Sequence, residues 1–282
     1  MTNTSFDPVT ALDRVAGAYR TFVSSFQRFK NPVIKEWIDK EIEKGTLLYK
    51  GPYIELARRY ADGDSFATLT GERILHPETP RYFTRNPADR SSLPVSLYRH
   101  QSDAIRSILS GKNTTITSGT GSGKSFCFAI PVVSTCLEMQ DRGLGGIKAI
   151  LVYPMNALAN SQYDDLAARL AGSGLKIAIY TGDTPHTYES ALTTYRERTA
   201  RDAPYDSELI SREEIQRTPP DILITNYVML EYILTRFEDK ILFPPENLGI
   251  LKYLVLDEIH TYTGKKGADT AYLIRRLKQH TG

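Results

Sequence analysis

Residues 117–125 read TSGTGSGKS, three glycines and a lysine among small hydroxyl residues, with no apolar side chain. Such a stretch adds nothing to a core, so its role lies in its backbone. TTITS (114–118) is strand-like, and a helix is expected to open near Lys124. Between a strand and a helix, Gly121 and Gly123 let the chain curl tightly. The successive N–H groups of Ser118, Gly119, Thr120, Gly121, Ser122 and Gly123 then converge as an anion nest at a helix amino end. The bare backbone is suited to holding phosphate. Lys124 would reach the β- and γ-phosphates of a nucleotide, and the Ser125 hydroxyl is the expected ligand of its Mg²⁺. The first position of the G-x-x-x-x-G-K-[ST] pattern is Ser118, small enough to keep the loop geometry.

Outward from this loop the chain alternates strand and helix. Apolar runs recur at IKAILVYP (147–154), LKIAIYTG (175–182), DILITN (221–226) and LKYLVLDE (251–258), with helices expected near Asn156, Val228 and Lys266. Near-continuous apolar strands separated by helices predict an α/β fold with a parallel sheet buried on both faces. In such sheets ligands bind beyond the carboxyl ends of the strands. LVLDEIH (254–260) places two carboxylates at one such end. Asp257 would hold Mg²⁺ through water, and Glu258 would polarise an attacking water. His260 by itself reads as a structural histidine.

Before residue 92 no strand pattern occurs. Leu12, Val15, Ala16, Tyr19, Phe22, Val23 and Phe26 share one helical face. A second helix is expected from Asn31 as cap and Pro32 as first residue, presenting Ile34, Trp37, Ile38 and Ile42 and stopping at Gly45. Gly51–Pro94 reads as short helices and loops. The expected organisation is a helical amino-terminal region, 1–92, packed as a lead-in on an α/β domain, 93–282. Between Asp183 and Pro219 lies a polar, charge-mixed insertion expected to stay out of the core, with Arg196, Arg198 and Arg201 on a solvated helical face or touching a nucleic-acid strand.

The 282 residues are 41% hydrophobic and 24% charged, an ordinary globular composition. Net charge is +2, from 35 basic and 33 acidic residues, so nucleic-acid binding cannot be argued from bulk charge. MTNTSFDPVT lacks the start of a signal peptide, and no run approaches the roughly 18 apolar residues of a membrane span, which argues for a cytoplasmic protein without membrane attachment. Cys127 and Cys136 lie nine positions apart in one expected helix, about 13 Å at 1.5 Å per residue, too far to bridge. They read as buried thiols of a reducing compartment.

The order SGTGSGKS then DEIH resembles the superfamily 2 helicases and translocases, the DEAD/DEAH-box-like group, which implies a RecA-like domain, ATP and Mg²⁺ as cofactors, and a catalytic set of Lys124, Asp257, Glu258 and His260. LYRHQSDAI (97–105) is similar to the family's adenine-reading segment, which makes Gln101 the adenine contact. YPMNALANSQ (153–162), YTGDTP (180–185) and ITNYVML (224–230) resemble the segments that line the family's nucleic-acid track. The resemblance implies Pro154, Asn156, Ala157, Thr181, Gly182, Thr225 and Asn226 as contacts to single-stranded or duplex nucleic acid. Singly, each segment also fits ordinary turn and capping chemistry; jointly their order favours the track, which would donate to phosphates without reading bases.

The tail DEIHTYTGKKGADTAYLIRRL is similar to the large helicases with a cysteine-rich carboxyl-terminal region found in DNA repair and antiphage defence. It implies DNA as substrate and subunits of defence or repair complexes as partners. No Ser-Ala-Thr segment and no second RecA-like domain follow Asp257, so the chain is expected to be the ATP-binding half of a longer motor, weak or inactive alone. No NKxD or LSGGQ-like motif points to a GTPase or an ABC ATPase. The alternative is a P-loop fragment that scaffolds partners, with nucleotide as a structural ligand; intact Lys124 and Glu258 favour the motor.

Overall fold

A computed structural model describes residues 7–26, 29–44, 60–87, 92–119 and 121–282. The chain divides into two compact units, Met1–Arg59 and Tyr60–Gly282. In the first, α1 spans Pro8–Phe26 and α2 spans Pro32–Glu43. The Asn31 side chain caps α2 by accepting from the Val33 amide, and Pro32 follows where its missing N–H costs nothing. Along α1 the expected stripe is present, with Leu12, Val15, Tyr19, Phe22 and Phe26 all exposed. The expected stop at Gly45 and the stretch 51–59 lie outside the described residues.

The second unit begins at Tyr60, earlier than the boundary read from the sequence at 92/93. Its first elements are α3 (Phe66–Gly71) and α4 (Thr79–Tyr82). Phe66, Leu69, Leu75, Tyr82 and Phe83 are buried in the same apolar cluster as Ile130, Val133 and Leu137. The His76 amide donates to the Ser134 hydroxyl at 2.8 Å, and the buried Arg169 guanidinium sits 5.0 Å from the Phe126 ring and 5.8 Å from Phe83. The segment 60–87 is thus core to the α/β body, because its scattered aromatics find partners that lack any periodic signal in sequence.

There follow α5 (Arg99–Leu109), α6 (Lys124–Asp141), β1 (Ala149–Val152), α7 (Asn156–Leu170), β2 (Ile177–Tyr180), α8 (Tyr188–Thr199), β3 (Glu208–Leu209), α9 (Arg212–Arg217), β4 (Ile222–Thr225), α10 (Tyr227–Thr235), β5 (Tyr253–Leu256) and α11 (Gly264–Thr281). The sheet is parallel throughout, in the order β3-β2-β4-β1-β5. Alternate strand residues enter opposite faces: Ala149, Leu151, Ile222 and Ile224 meet α6 and α7, while Ile150, Val152, Leu223 and Tyr180 meet α10 and α11. This double burial is why the strands read as unbroken apolar runs.

Two sequence expectations change. TTITS (114–118) joins no ladder among the described residues. A groove of about 670 Å³ separates it from β5, with Lys112–Ser118 on one wall and Lys252–His260 on the other. Lone extended backbone lacks the cross-strand bonds that define a strand, whatever its propensity. The insertion 183–219 does enter the core: β3 pairs with β2, and Ala191, Tyr195, Ile210 and Ile215 are buried. Tyr195 donates to Glu208 at 2.7 Å, so a polar-looking segment hides a paired carboxylate and ring. Arg196, Arg198 and Arg201 each meet a partner within the chain. Arg198 meets Asp164 at 2.6 Å, Arg201 lies 4.0 Å from the Tyr205 ring centroid, and Arg196 donates to the Asp202 carbonyl at 2.9 Å. No helix among the described residues is long and apolar enough to cross a membrane.

Candidate nucleotide site and sheet-edge loops

Parallel register brings the ends of four strands into one row: Tyr180 beside Thr225, Thr225 beside Val152, and Val152 beside Leu256. The motif residues follow directly after these positions.

At the amino end of α6, Gly123 caps the helix at φ 73° and ψ 35° with no side-chain cap, and Gly121 has φ 77°. Both angles are left-handed, where a β-carbon is strained. A Cβ on Gly123 would also fall 2.5 Å from Gln101 Nε2. The first α6 amides are thereby left pointing out of the helix, as an anion site requires. The Lys124 ammonium lies across the loop, donating to the Ser118 carbonyl at 2.9 Å and the Gly119 carbonyl at 3.3 Å. Ser118 and Ser122 hydroxyls pair at 2.6 Å, with Ser122 buried. Thr120 lies outside the described residues.

Gln101 stands behind this loop and not in the open groove. It is 2% exposed; its Oε1 accepts from the Tyr98 amide at 2.8 Å, and its Nε2 donates to the Gly123 carbonyl at 2.9 Å. With both ends of the amide engaged, Gln101 braces the phosphate loop against α5. An adenine contact would use its second Nε2 hydrogen and second Oε1 lone pair.

Across the groove, β5 delivers the carboxylates. The Asp257 amide continues the ladder to the Val152 carbonyl at 3.0 Å, and then Glu258 turns the chain at φ 48° and ψ 48°. Left-handed backbone on a non-glycine residue is strained. It swings the side chain out of the strand direction, and Glu258 Oε2 meets His260 Nδ1 at 3.2 Å. Burial raises the Asp257 carboxyl above its ordinary range, with the Glu258 charge adding to this; a backbone hydrogen bond at Glu258 and the charge of Lys124 oppose it. Ser118, Lys124, Asp257, Glu258 and His260 line one groove of about 670 Å³.

This set fits a nucleoside triphosphate with a divalent cation. Helix-start amides and an ammonium suit phosphate, and a partly buried carboxylate short of positive charge suits a hard cation. Ser125, the other expected cation ligand, is half-buried on the first turn of α6.

The loops expected to form a nucleic-acid track are joined by side chains. Asn226 Nδ2 donates to Asn156 Oδ1 at 3.1 Å, and Asn156 Nδ2 donates to Asp183 Oδ2 at 2.8 Å. Asn226 also caps α10 through the Met229 amide at 2.8 Å. Gly182 and Ala157 are exposed and Pro154 is half-buried. Two expected contacts turn inward. Thr225 is fully buried and donates to the Tyr180 carbonyl at 2.7 Å, and Thr181 is buried with its hydroxyl accepting from the Asp183 amide at 3.3 Å. Their side chains shape the loops and do not line the surface.

Residues 98–281 match the model of the DEAD/DEAH box helicase family. The chain belongs to the DEAD/DEAH box helicases. Druantia protein DruE of Escherichia coli is 28% identical over 84% of this helicase chain and 18% of its own length. ATP-dependent helicase hrq1 of Schizosaccharomyces pombe is 28% identical over 64% of this chain and 14% of its own. Among solved structures, the DUF1998 helicase MrfA bound to DNA superposes with a TM-score of 0.56 at 24% identity, over 81% of this chain and 25% of that one, a likeness of fold. The helicase chain therefore spans less than a fifth of the length of the two curated relatives.

Sequence reasoning missed an aromatic group beside the helicase phosphate loop. The Tyr60 ring lies 5.2 Å from both Tyr98 and His100, and His100 stacks on Tyr98 at 5.8 Å. His100 Nε2 is 3.0 Å from the Ser122 carbonyl, and a Cβ on Gly119 would sit 3.7 Å from the Tyr60 hydroxyl. Tyr60 is far from the loop in sequence, so no local signal marks it. His100 stands inside the quoted LYRHQSDAI and could have been found there.

Proposed function

We propose that this chain is the ATP-binding motor half of a DNA-directed helicase or translocase. One observation carries the reading: the lysine of the phosphate loop and the Asp257–Glu258 pair open on the same groove. In it Lys124 and the α6 amides hold the phosphates, and Ser125 and Asp257 hold Mg²⁺, which supplies charge neutralisation at the phosphates. Glu258 orients the attacking water and accepts its proton, with His260 holding the carboxylate from the solvent side. DNA is favoured because MrfA, which shares the fold, was solved bound to it. The tail's resemblance points to genome maintenance or antiphage defence. In the longer protein a second RecA-like domain closes on this groove and couples hydrolysis to movement.

Lys124→Ala should weaken ATP binding by about 10- to 100-fold on a folded chain, since charge-assisted bonds to phosphate are lost. Calorimetry checks this, and unchanged affinity would remove the site. Glu258→Gln in the longer protein should keep ATP bound and lower turnover by about 10² to 10⁴. Full hydrolysis in that variant would mean another residue is the base.

A further inference from the structure

The insertion 183–219 sends two side chains back to the sheet edge. Arg212, the first residue of α9, donates from Nε to the Thr184 carbonyl and from a terminal nitrogen to the Thr181 carbonyl, both at 2.9 Å. Its guanidinium carbon lies 5.0 Å from the Tyr180 ring centroid. One turn later, Gln216 Nε2 donates to the Tyr180 hydroxyl at 3.2 Å and to Asp239 Oδ1 at 3.3 Å, and the Tyr180 hydroxyl itself donates to that carboxylate. Asp239 is 2% exposed, so this bracket is internal.

Both carbonyls gripped by Arg212 belong to the turn that presents Gly182 and Asp183. Asp183 receives the Asn156 amide, and Asn156 receives the Asn226 amide. A contiguous chain of hydrogen bonds therefore runs from Arg212 through the 181–184 turn to the starts of α7 and α10. The guanidinium is planar and its donors point in fixed directions, so two carbonyls held at once fix the turn's shape as well as its place.

We propose that Arg212 is a positioning residue for nucleic-acid binding: it holds the 181–184 turn so that Gly182, Asn156 and Asn226 present their polar groups together to a strand backbone. This rests on the reading of these loops as a phosphate track. Arg212 acts through the turn and not on the strand: Nε and one terminal nitrogen are committed to Thr184 and Thr181, and the guanidinium lies over the Tyr180 ring. The distinction is measurable. A cation that meets a phosphate contributes about one unit to the salt slope of binding, whereas a residue that shapes neutral donors changes affinity at every salt concentration alike.

The test uses the 282-residue chain and a labelled oligodeoxythymidine titrated over a range of salt, with ATP binding followed in parallel. Arg212→Lys keeps the charge and most of the stem but cannot reach two carbonyls in one plane. It should weaken strand binding about tenfold, leave the salt slope unchanged and leave ATP affinity unchanged. Arg212→Ala should do the same or more, and if it does not fold Arg212→Gln takes its place, since the salt slope is read only from a variant that removes the charge. Parent-like strand affinity in Arg212→Lys, beside an Asn156→Ala control that has lost it, overturns the positioning role and leaves the track standing. A salt slope reduced by about one in a charge-removing variant, Arg212→Ala or Arg212→Gln, shows direct phosphate contact and also overturns it. If Asn156→Ala binds as well as the parent, the track itself falls and the proposal falls with it.

Discussion

At Glu258 function and backbone strain meet in one residue. Its φ of 48° places a β-carbon-bearing residue in the left-handed region, a cost of about 1–2 kcal/mol that glycine avoids. The turn places Glu258 on the groove that Lys124 and Asp257 also line, with its carboxylate against His260. Glu258→Gly should therefore raise the stability of the nucleotide-free chain by up to about 1 kcal/mol, after the greater unfolded-state freedom of glycine is counted. Glu258→Gln, which keeps the strained backbone, should leave stability unchanged. Denaturant unfolding of the two variants checks the pair, and a destabilised glycine variant would show that the Glu258 side chain contributes more to the fold than its backbone costs. Gly123 is the converse case: there the left-handed angle and the Gln101 amide both demand glycine.

Among the elements, the amino ends of the strands are clamped by a buried ion pair. The Lys148 ammonium is 1% exposed and is held by Asp221 Oδ1 and, at 3.3 Å, by the Gly146 carbonyl. The other Asp221 oxygen accepts from the Lys176 amide at 2.6 Å, so one carboxylate ties the starts of β1, β2 and β4. Breaking such a pair leaves an uncompensated charge where no water compensates it. Asp221→Ala should cost about 3–5 kcal/mol, whereas the paired change Lys148→Met with Asp221→Leu, which removes both charges and keeps the volume, should cost much less. Urea unfolding of the two variants decides it; equal losses would show that the carboxylate acts mainly through the Lys176 amide. Among the described residues, the carboxyl ends carry no such clamp and depend on cross-loop bonds such as Asn156 to Asp183.

For the molecule as a whole, buried tyrosines set an alkaline limit on stability. Burial is the first cause raising Tyr153, Tyr163, Tyr180 and Tyr195 above the ordinary phenol value, with Tyr180 pushed up to about 12. Glu208 adds to the rise at Tyr163 and Tyr195, and Asp239 at Tyr180. Because the folded chain keeps these protons after the unfolded chain has released them near the ordinary value of about 10, stability is complete below that pH and falls as pH climbs above it. Thermal melts from neutral pH to about pH 11 should show this loss. The Tyr153 hydroxyl is buried with no hydrogen-bond partner among the described residues. Tyr153→Phe should therefore melt like the parent at neutral pH and lose less at alkaline pH. An unchanged alkaline limb would remove Tyr153 from the account.

The amino-acid sequence by itself determined the local devices: the glycine loop before Lys124, the carboxylates after LVL, the Asn31 cap, and the apolar runs that became β1, β2, β4 and β5. Each depends on backbone angles or on periodicity within a few residues, so it is written where it acts. Tertiary structure alone decided what meets what. TTITS has strand propensity but no neighbour to bond; Phe66 and Phe83 join the α/β core; Thr181 and Thr225 turn inward; β3 forms from two residues because β2 offers an edge. Arg212 reaches the Thr184 carbonyl across 28 positions of chain, and Gln101 meets Gly123 across 22. Such contacts depend on the parallel register that sets four strand ends in one row, and register is settled by packing on both faces of the sheet at once, which no local stretch of sequence contains.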